Sequence, residues 1–198
     1  METKRETRES IVQVTIEQGK RRAFKLNTGL DFFNHMIETI AWRACMNIDV
    51  MYKNTQFRLT HVITEDVGIV MGKTFRKLLK KKMKTGVNGS GSSVGIIDEA
   101  MAVVAVSFEG RCGAYLSLDC LGAQRERVED MLSDDLREFF CGFAQGAGAT
   151  VSIKTLSGEN PHHTWEAIFR GFGEALKECF TANAWRKGTT AGVKGTLE

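Results

Sequence analysis

One spacing constrains this chain more than any other feature. A His-x-x-x-Glu pair stands at His61 and Glu65 and again at His162 and Glu166, 101 positions later in both cases (61 to 162, 65 to 166). Each pair opens a long stretch whose apolar residues recur at helical spacing. Within 198 residues, a repeat of that length leaves room for two copies of one supersecondary unit.

The elements predicted along the chain follow the same rule. In the first half, alternation over residues 11–17 predicts a strand closed by Gly19, with a second strand around 22–27. Phe32, Met36, Ile40 and Ala44 share one side of a helix over 31–45, with Asp31 at its N-cap or in its first turn. A strand over 47–52, a short one near 56–59 and a helix from His61 to about residue 82 follow. In the second half, strands are expected at 102–108 and 114–118, a helix near 132–146, a strand at 150–156 and a helix over 162–182. Each half thus reads strand, strand, helix, strand, helix. The fold class is α/β in the form of an α+β sandwich, with sheets packed against helices. The halves are expected at 1–92 and 93–198, joined as one compact unit. Residues 85–95, Thr-Gly-Val-Asn-Gly-Ser-Gly-Ser-Ser-Val-Gly, read as a flexible stretch between them.

Composition narrows the partners. With 42% hydrophobic residues the chain can build a core, and no run approaches the roughly 18 apolar residues of a membrane span. Residues 1–10 are charged and lack an apolar segment, so neither a signal peptide nor a membrane partner is expected and the location is cytoplasmic. Lys80, Lys81, Lys82 and Lys84 read as a solvated helix end that complements the helix dipole. No aromatics are interleaved for base stacking, so no nucleic-acid partner is expected. A net charge of +3 suits a small anion. The five cysteines contain no CxxC pair, which predicts small buried hydrophobes in a reducing compartment.

The chemistry is concentrated in four histidines, His35, His61, His162 and His163. On a helix Glu166 shares a face with either His162 or His163. Imidazole and carboxylate together suit a borderline divalent transition metal. Adjacent histidines cannot easily aim at one ion from one helix, so the pair reads as serving two metals, or a metal and a substrate. Pro161 presets the helix's first turn, and Gly158 and Asn160 supply the turn before it.

Read together, these segments resemble the imidazoleglycerol-phosphate dehydratase family. Its Arg-x-Thr-x-Glu-Thr start is matched by Arg5, Thr7, Glu9 and Ser10, and its Phe-Leu-Asp-His-Met helix by Phe32 to Met36. Its His-His-Thr-x-Glu-Asp motif falls on His61 to Asp66, followed by Gly68 and Gly72. Its Met-Asp-Glu-Ala segment is matched at Ile97 to Ala100, and its Gly-Arg turn at Gly110-Arg111. Its Gly-x-Asn-x-His-His-x-x-Glu motif runs from Gly158 to Glu166 and on to Phe169-Arg170. The resemblance implies a duplicated fold of the ribosomal protein S5 domain 2-like type. It also implies a metal-dependent hydro-lyase of histidine biosynthesis that converts imidazole-glycerol phosphate to imidazole-acetol phosphate.

The resemblance further implies Mn²⁺, or another divalent transition metal, at one or two ions per subunit. The implied ligands are His35, His61, Glu65, His162, His163 and Glu166. Glu9 and Glu166 would be catalytic, with Glu9 moving protons, and Arg111, Arg170 and Lys194 would bind the substrate phosphate. The implied partner is a second copy of the chain: sites form between subunits, and trimers build an assembly of 24. The chain departs from the family at Val62 and Ser152, where histidines are expected, and at Gly89-Ser90-Gly91, where an Arg-Phe-Gly segment is expected. Two readings therefore stand: an active dehydratase, or a non-catalytic or altered-specificity homologue that keeps a single, mainly structural metal site.

Overall fold

The computed structural model describes residues 1–197. Its first half contains strands β1 (Glu2–Glu6), β2 (Ser10–Glu17) and β3 (Leu26–Asn27), helix α1 (Asp31–Ala44), strand β4 (Asn47–Asn54) and helix α2 (Thr60–Met83). The second half contains β5 (Ser90–Ile97), β6 (Ala100–Ser107), β7 (Gly113–Ser117), a small hairpin of β8 (Arg127–Val128) and β9 (Met131–Leu132), α3 (Ser133–Ala147), β10 (Thr150–Ser157) and α4 (Pro161–Cys179). A short 3-10 turn at Ala184–Arg186 precedes the C-terminal segment.

The duplication is explicit in the sheets. The first has the order β1-β2-β4-β3 and the second β5-β6-β10-β7. In both, the first strand pairs antiparallel with the second, the second antiparallel with the fourth, and the third parallel with the fourth. Even the helix ends correspond, since α1 stops at Cys45 and α3 at Gly148, both left-handed (φ 54 and 59).

Each repeat therefore begins with a strand absent from the sequence expectation, β1 in one half and β5 in the other. The stretch expected to be flexible at 85–95 becomes, from Ser90, the edge strand β5. Its glycines are there because α4 lies on it. A Cβ on Gly91 would strike the carbonyl of Ala175, and one on Gly95 the backbone of Ala167 and Gly171. The strand expected near 56–59 is instead an irregular lead into α2, and that at 22–27 shrinks to Leu26–Asn27.

The layers run sheet, helices, helices, sheet. α2 packs on β1 and β2, and α4 on β5 and β6, while α2 meets α3 and α1 meets α4 across the boundary between halves. The inward residues of the strands, Val12, Val14 and Ile16 on β2 and Ala102, Val104 and Val106 on β6, are buried against the helices. Between α3 and α4 lies an aromatic core, with Phe143 and Phe172 ring centres 4.9 Å apart and Phe140 and Phe169 5.0 Å apart. Where α2 crosses α3, glycines on both helices let the backbones touch. A Cβ on Gly68 or Gly72 would meet the backbone of Phe139, Phe143 or Ala147, and one on Gly142 or Gly146 that of Glu65 or Ile69.

The charged edge strand β1 is anchored by a buried acid. Asp66, 5% exposed on α2, accepts from the Arg5 guanidinium and from the Ser10 hydroxyl. Removing Arg5 leaves that carboxylate with a single partner in a buried position. Arg5→Ala is expected to cost about 2–4 kcal/mol in urea unfolding; an unchanged midpoint would show that the pair contributes nothing. Among the described residues no helix is long and apolar enough to cross a membrane. The cysteine expectation is corrected. All five are free, but only Cys179 is buried, while Cys45 at the end of α1, Cys112 in the β6–β7 turn and Cys141 on the outer side of α3 are exposed.

Candidate metal centre

The start of α4 is built to aim its side chains. The Asn160 side chain accepts from the backbone N–H groups of His162 (2.8 Å) and His163 (3.3 Å), and Pro161 occupies the first turn. With the turn fixed, Glu166 lies one turn beyond His162, and α1 brings His35 alongside. His35 Nε2 and His162 Nε2 lie 3.4 and 3.3 Å from Glu166 Oε2. One ligand atom from each of the three residues lies within 4.8 Å of the others, the one such group among the described residues.

Glu166 is 7% exposed. Burial pushes its pKa up, but the hydrogen bonds and charge of Arg170, together with His35, more than offset this and hold it below the usual carboxylate range. Arg170 donates to Glu166 Oε1 through Nη2 (2.6 Å) and Nε (2.9 Å), and to the carbonyl of Ile96 (2.9 Å). Two of the trio, His35 and Glu166, line a cavity of about 240 Å³ together with Glu38, Thr39, Trp42, Arg43 and Arg170.

Two imidazole nitrogens and one carboxylate oxygen, two of the three residues being half-buried or buried, make a donor set that fits a borderline divalent transition ion and leaves positions for substrate. The adjacent histidines do diverge. Their rings stand at 82°. His162 Nδ1 donates to Glu129 Oε1 (2.9 Å), while His163 Nδ1 donates to Glu99 Oε2 (2.8 Å), with Asp98 3.5 Å from its Nε2. Glu99 also accepts from the backbone N–H groups of Asn160 and Glu159; these bonds and His163 hold it at about 2, and Glu99 in turn raises His163.

The other expected site residues lie elsewhere in the same chain. His61 lines a separate cavity with Arg58, Arg127, Asp130 and Asp135. There Asp135 is buried with Oδ2 unpartnered, and burial raises its pKa. Glu65 follows His61 on α2, and Glu9 sits in the β1–β2 turn beside Ser10. Arg111 lies in the β6–β7 turn, where its carbonyl accepts from Thr150 at the start of β10, whereas the trio lies beyond that strand's other end. Lys194 is exposed in the C-terminal segment, whose Gly192 approaches Glu109 in that same turn. Glu129 was not foreseen, because it meets His162 across 33 positions rather than at a local spacing.

Comparison with known proteins agrees with this architecture. The model of the family described as imidazoleglycerol-phosphate dehydratase matches residues 28–176. The Methylococcus capsulatus imidazoleglycerol-phosphate dehydratase is 33% identical over 196 residues, covering 99% of this chain and 97% of its own length. The one from Caldicellulosiruptor bescii is 36% identical over 180 residues, covering 91% and 90%. Among solved structures, the Pyrococcus furiosus enzyme superposes with a TM-score of 0.81 at 27% identity, covering 98% of this chain and all (100%) of the other. The Staphylococcus aureus enzyme gives 0.77 at 27%, covering 92% and 100%. Fold, duplicated topology and sequence agree over nearly the whole length, and the chain belongs to the imidazoleglycerol-phosphate dehydratase family.

Proposed function

We propose that this chain is a cytoplasmic hydro-lyase that converts imidazole-glycerol phosphate to imidazole-acetol phosphate in histidine biosynthesis. The observation that carries this reading is the convergence of His35, His162 and Glu166 from two helices at the edge of an open cavity. A divalent ion such as Mn²⁺, when bound by these three residues, supplies a Lewis acid that stabilises negative charge on the substrate's imidazole. In the reaction a proton and a hydroxyl group leave neighbouring carbons as water, and the resulting enol becomes the ketone.

The chain's own groups divide the remaining work. Arg170, committed to Glu166 and the Ile96 carbonyl, keeps Glu166 ionised, so we assign phosphate binding to Arg111 and Lys194 instead. Glu9 moves a proton as acid or base. β10 alone spans about 25 Å between the Arg111 turn and the trio, so these residues act on one substrate only if protomers complete each other's sites. The assembly we propose is accordingly a homo-oligomer built from trimers. His61, Glu65 and His163 would hold a second ion where another protomer adds ligands. The alternative, a structural metal without catalysis, gains nothing from the open cavity that His35 and Glu166 line.

Purified protein equilibrated with excess Mn²⁺ and desalted is expected to retain at least one ion per chain and to form imidazole-acetol phosphate, with turnover lost on chelation and regained with Mn²⁺. Protein that retains no ion and forms no product would overturn the proposal.

A further inference from the structure

The β8–β9 hairpin turns on two residues, Glu129 and Asp130; the first holds a member of the trio and the second the start of the helix that carries another. Glu129 Oε1 accepts from His162 Nδ1 at 2.9 Å. Asp130 accepts through Oδ2 from the Asp31 N–H (2.8 Å) and through Oδ1 from the Phe32 N–H (3.1 Å), which are free donors at the start of α1. His35 lies one turn further along that helix, and the Phe32 ring meets His162 edge-on with centres 5.1 Å apart. One two-residue turn thus fixes the ring of the α4 histidine and the start of the helix that carries the α1 histidine.

Glu129 adopts φ 49, a left-handed conformation that glycine takes readily and glutamate does not. A glycine there would ease the turn and remove the carboxylate. The neighbouring histidine is held in a similar way: Glu99, in the β5–β6 turn whose Asp98 is also left-handed (φ 47), accepts from His163 Nδ1. Donation from Nδ1 selects the tautomer in which Nε2 carries the lone pair, and on His162 Nε2 is the atom that faces Glu166.

We propose that Glu129 is a positioning residue for the metal centre: from a strained turn it orients the His162 ring and presents Nε2 for coordination, while Asp130 sets α1 and His35 in register with it. This rests on the assignment of His35, His162 and Glu166 as ligands and adds to it a residue that touches neither ion nor substrate.

The test uses Co²⁺ as probe, followed by its visible absorption during titration of the metal-free protein, alongside thermal unfolding of the same protein without metal. Glu129→Gly is expected to weaken Co²⁺ binding roughly ten- to hundred-fold while leaving the unfolding midpoint of the metal-free protein unchanged or higher. Glu129→Gln, whose amide oxygen still accepts from Nδ1–H, is expected to recover most of the affinity. These opposed signs separate positioning from simple structural support. Glu129→Gly binding Co²⁺ like the unaltered protein would overturn the proposal and leave the ligand assignment standing; so would a loss of affinity accompanied by a lowered midpoint. Failure of the unaltered protein to bind Co²⁺ would overturn both.

Discussion

Gly146→Leu and Gly72→Leu are each expected to leave little folded protein. The cause is the crossing of α2 and α3, where the position a Cβ would take on Gly146 is already occupied by the backbone of Ile69, and that on Gly72 by the backbone of Phe143 and Ala147. A side-chain tip can rotate away, but a helix backbone moves only if the whole helix moves. Inserting carbon into an ordinary packed core costs about 1–3 kcal/mol. Here the helices must separate, which also opens the apolar contacts of Phe75 and Phe143 beside the crossing. The expected loss exceeds about 4 kcal/mol, a large share of the 5–15 kcal/mol that stabilises a typical domain. Because this joint lies between the halves, the loss should appear as one cooperative transition rather than as separate melting of one half. Gly146→Ala should fall between, and Lys73→Leu, on the exposed side of α2, should stay within about 0.5 kcal/mol. Urea unfolding measures all four, and a Gly146→Leu midpoint equal to that of the unaltered protein would refute the close-crossing account.

The same close packing explains what the sequence displays and what it conceals. The helices are legible because core residues such as Phe32, Met36 and Ile40 keep helical spacing even where two layers cover them. The first strand of each repeat is concealed for two different reasons. β1 reads Glu-Thr-Lys-Arg-Glu, an edge strand held by Arg5 and a neighbouring serine on a buried acid, with almost no apolar alternation. β5 reads Ser-Gly-Ser-Ser-Val-Gly-Ile-Ile because α4 presses backbone on backbone there, so its local composition imitates a linker. At the site, His162 and Glu166 are legible as one turn of one helix. Their repeat partners His61 and Glu65 are equally legible, yet within the folded chain His61 lines a different cavity and neither residue joins the trio. His35 needed the family resemblance to be singled out. Glu129 had no local signal at all, since its contact depends on where a hairpin turn lands on another element.

Glu166→Ala is expected to abolish turnover, by at least about 10³-fold, equivalent to roughly 4 kcal/mol of transition-state stabilisation. Among the described residues no other carboxylate approaches both His35 and His162, the two imidazoles of the trio, at hydrogen-bonding distance through one oxygen while holding Arg170 through the other. Its removal takes away the single anionic donor of the trio and leaves two rings beside an arginine, an arrangement that repels a cation. The retained Mn²⁺ should fall with the activity. The fold should survive, because Arg170 still bonds the Ile96 carbonyl and faces the open cavity. Arg170→Ala makes the contrasting case. Without the guanidinium, burial is the dominant influence on Glu166, its pKa rises, and the carboxylate is protonated over more of the acidic range. Turnover in Arg170→Ala should therefore fall most at low pH and recover as pH rises, whereas Glu166→Ala should stay inactive at every pH. Dehydratase activity measured across pH for both variants separates the roles: unchanged turnover in Glu166→Ala would remove this trio from the chemistry, and a pH profile in Arg170→Ala identical to that of the unaltered protein would show that Arg170 does not govern the ionisation of Glu166.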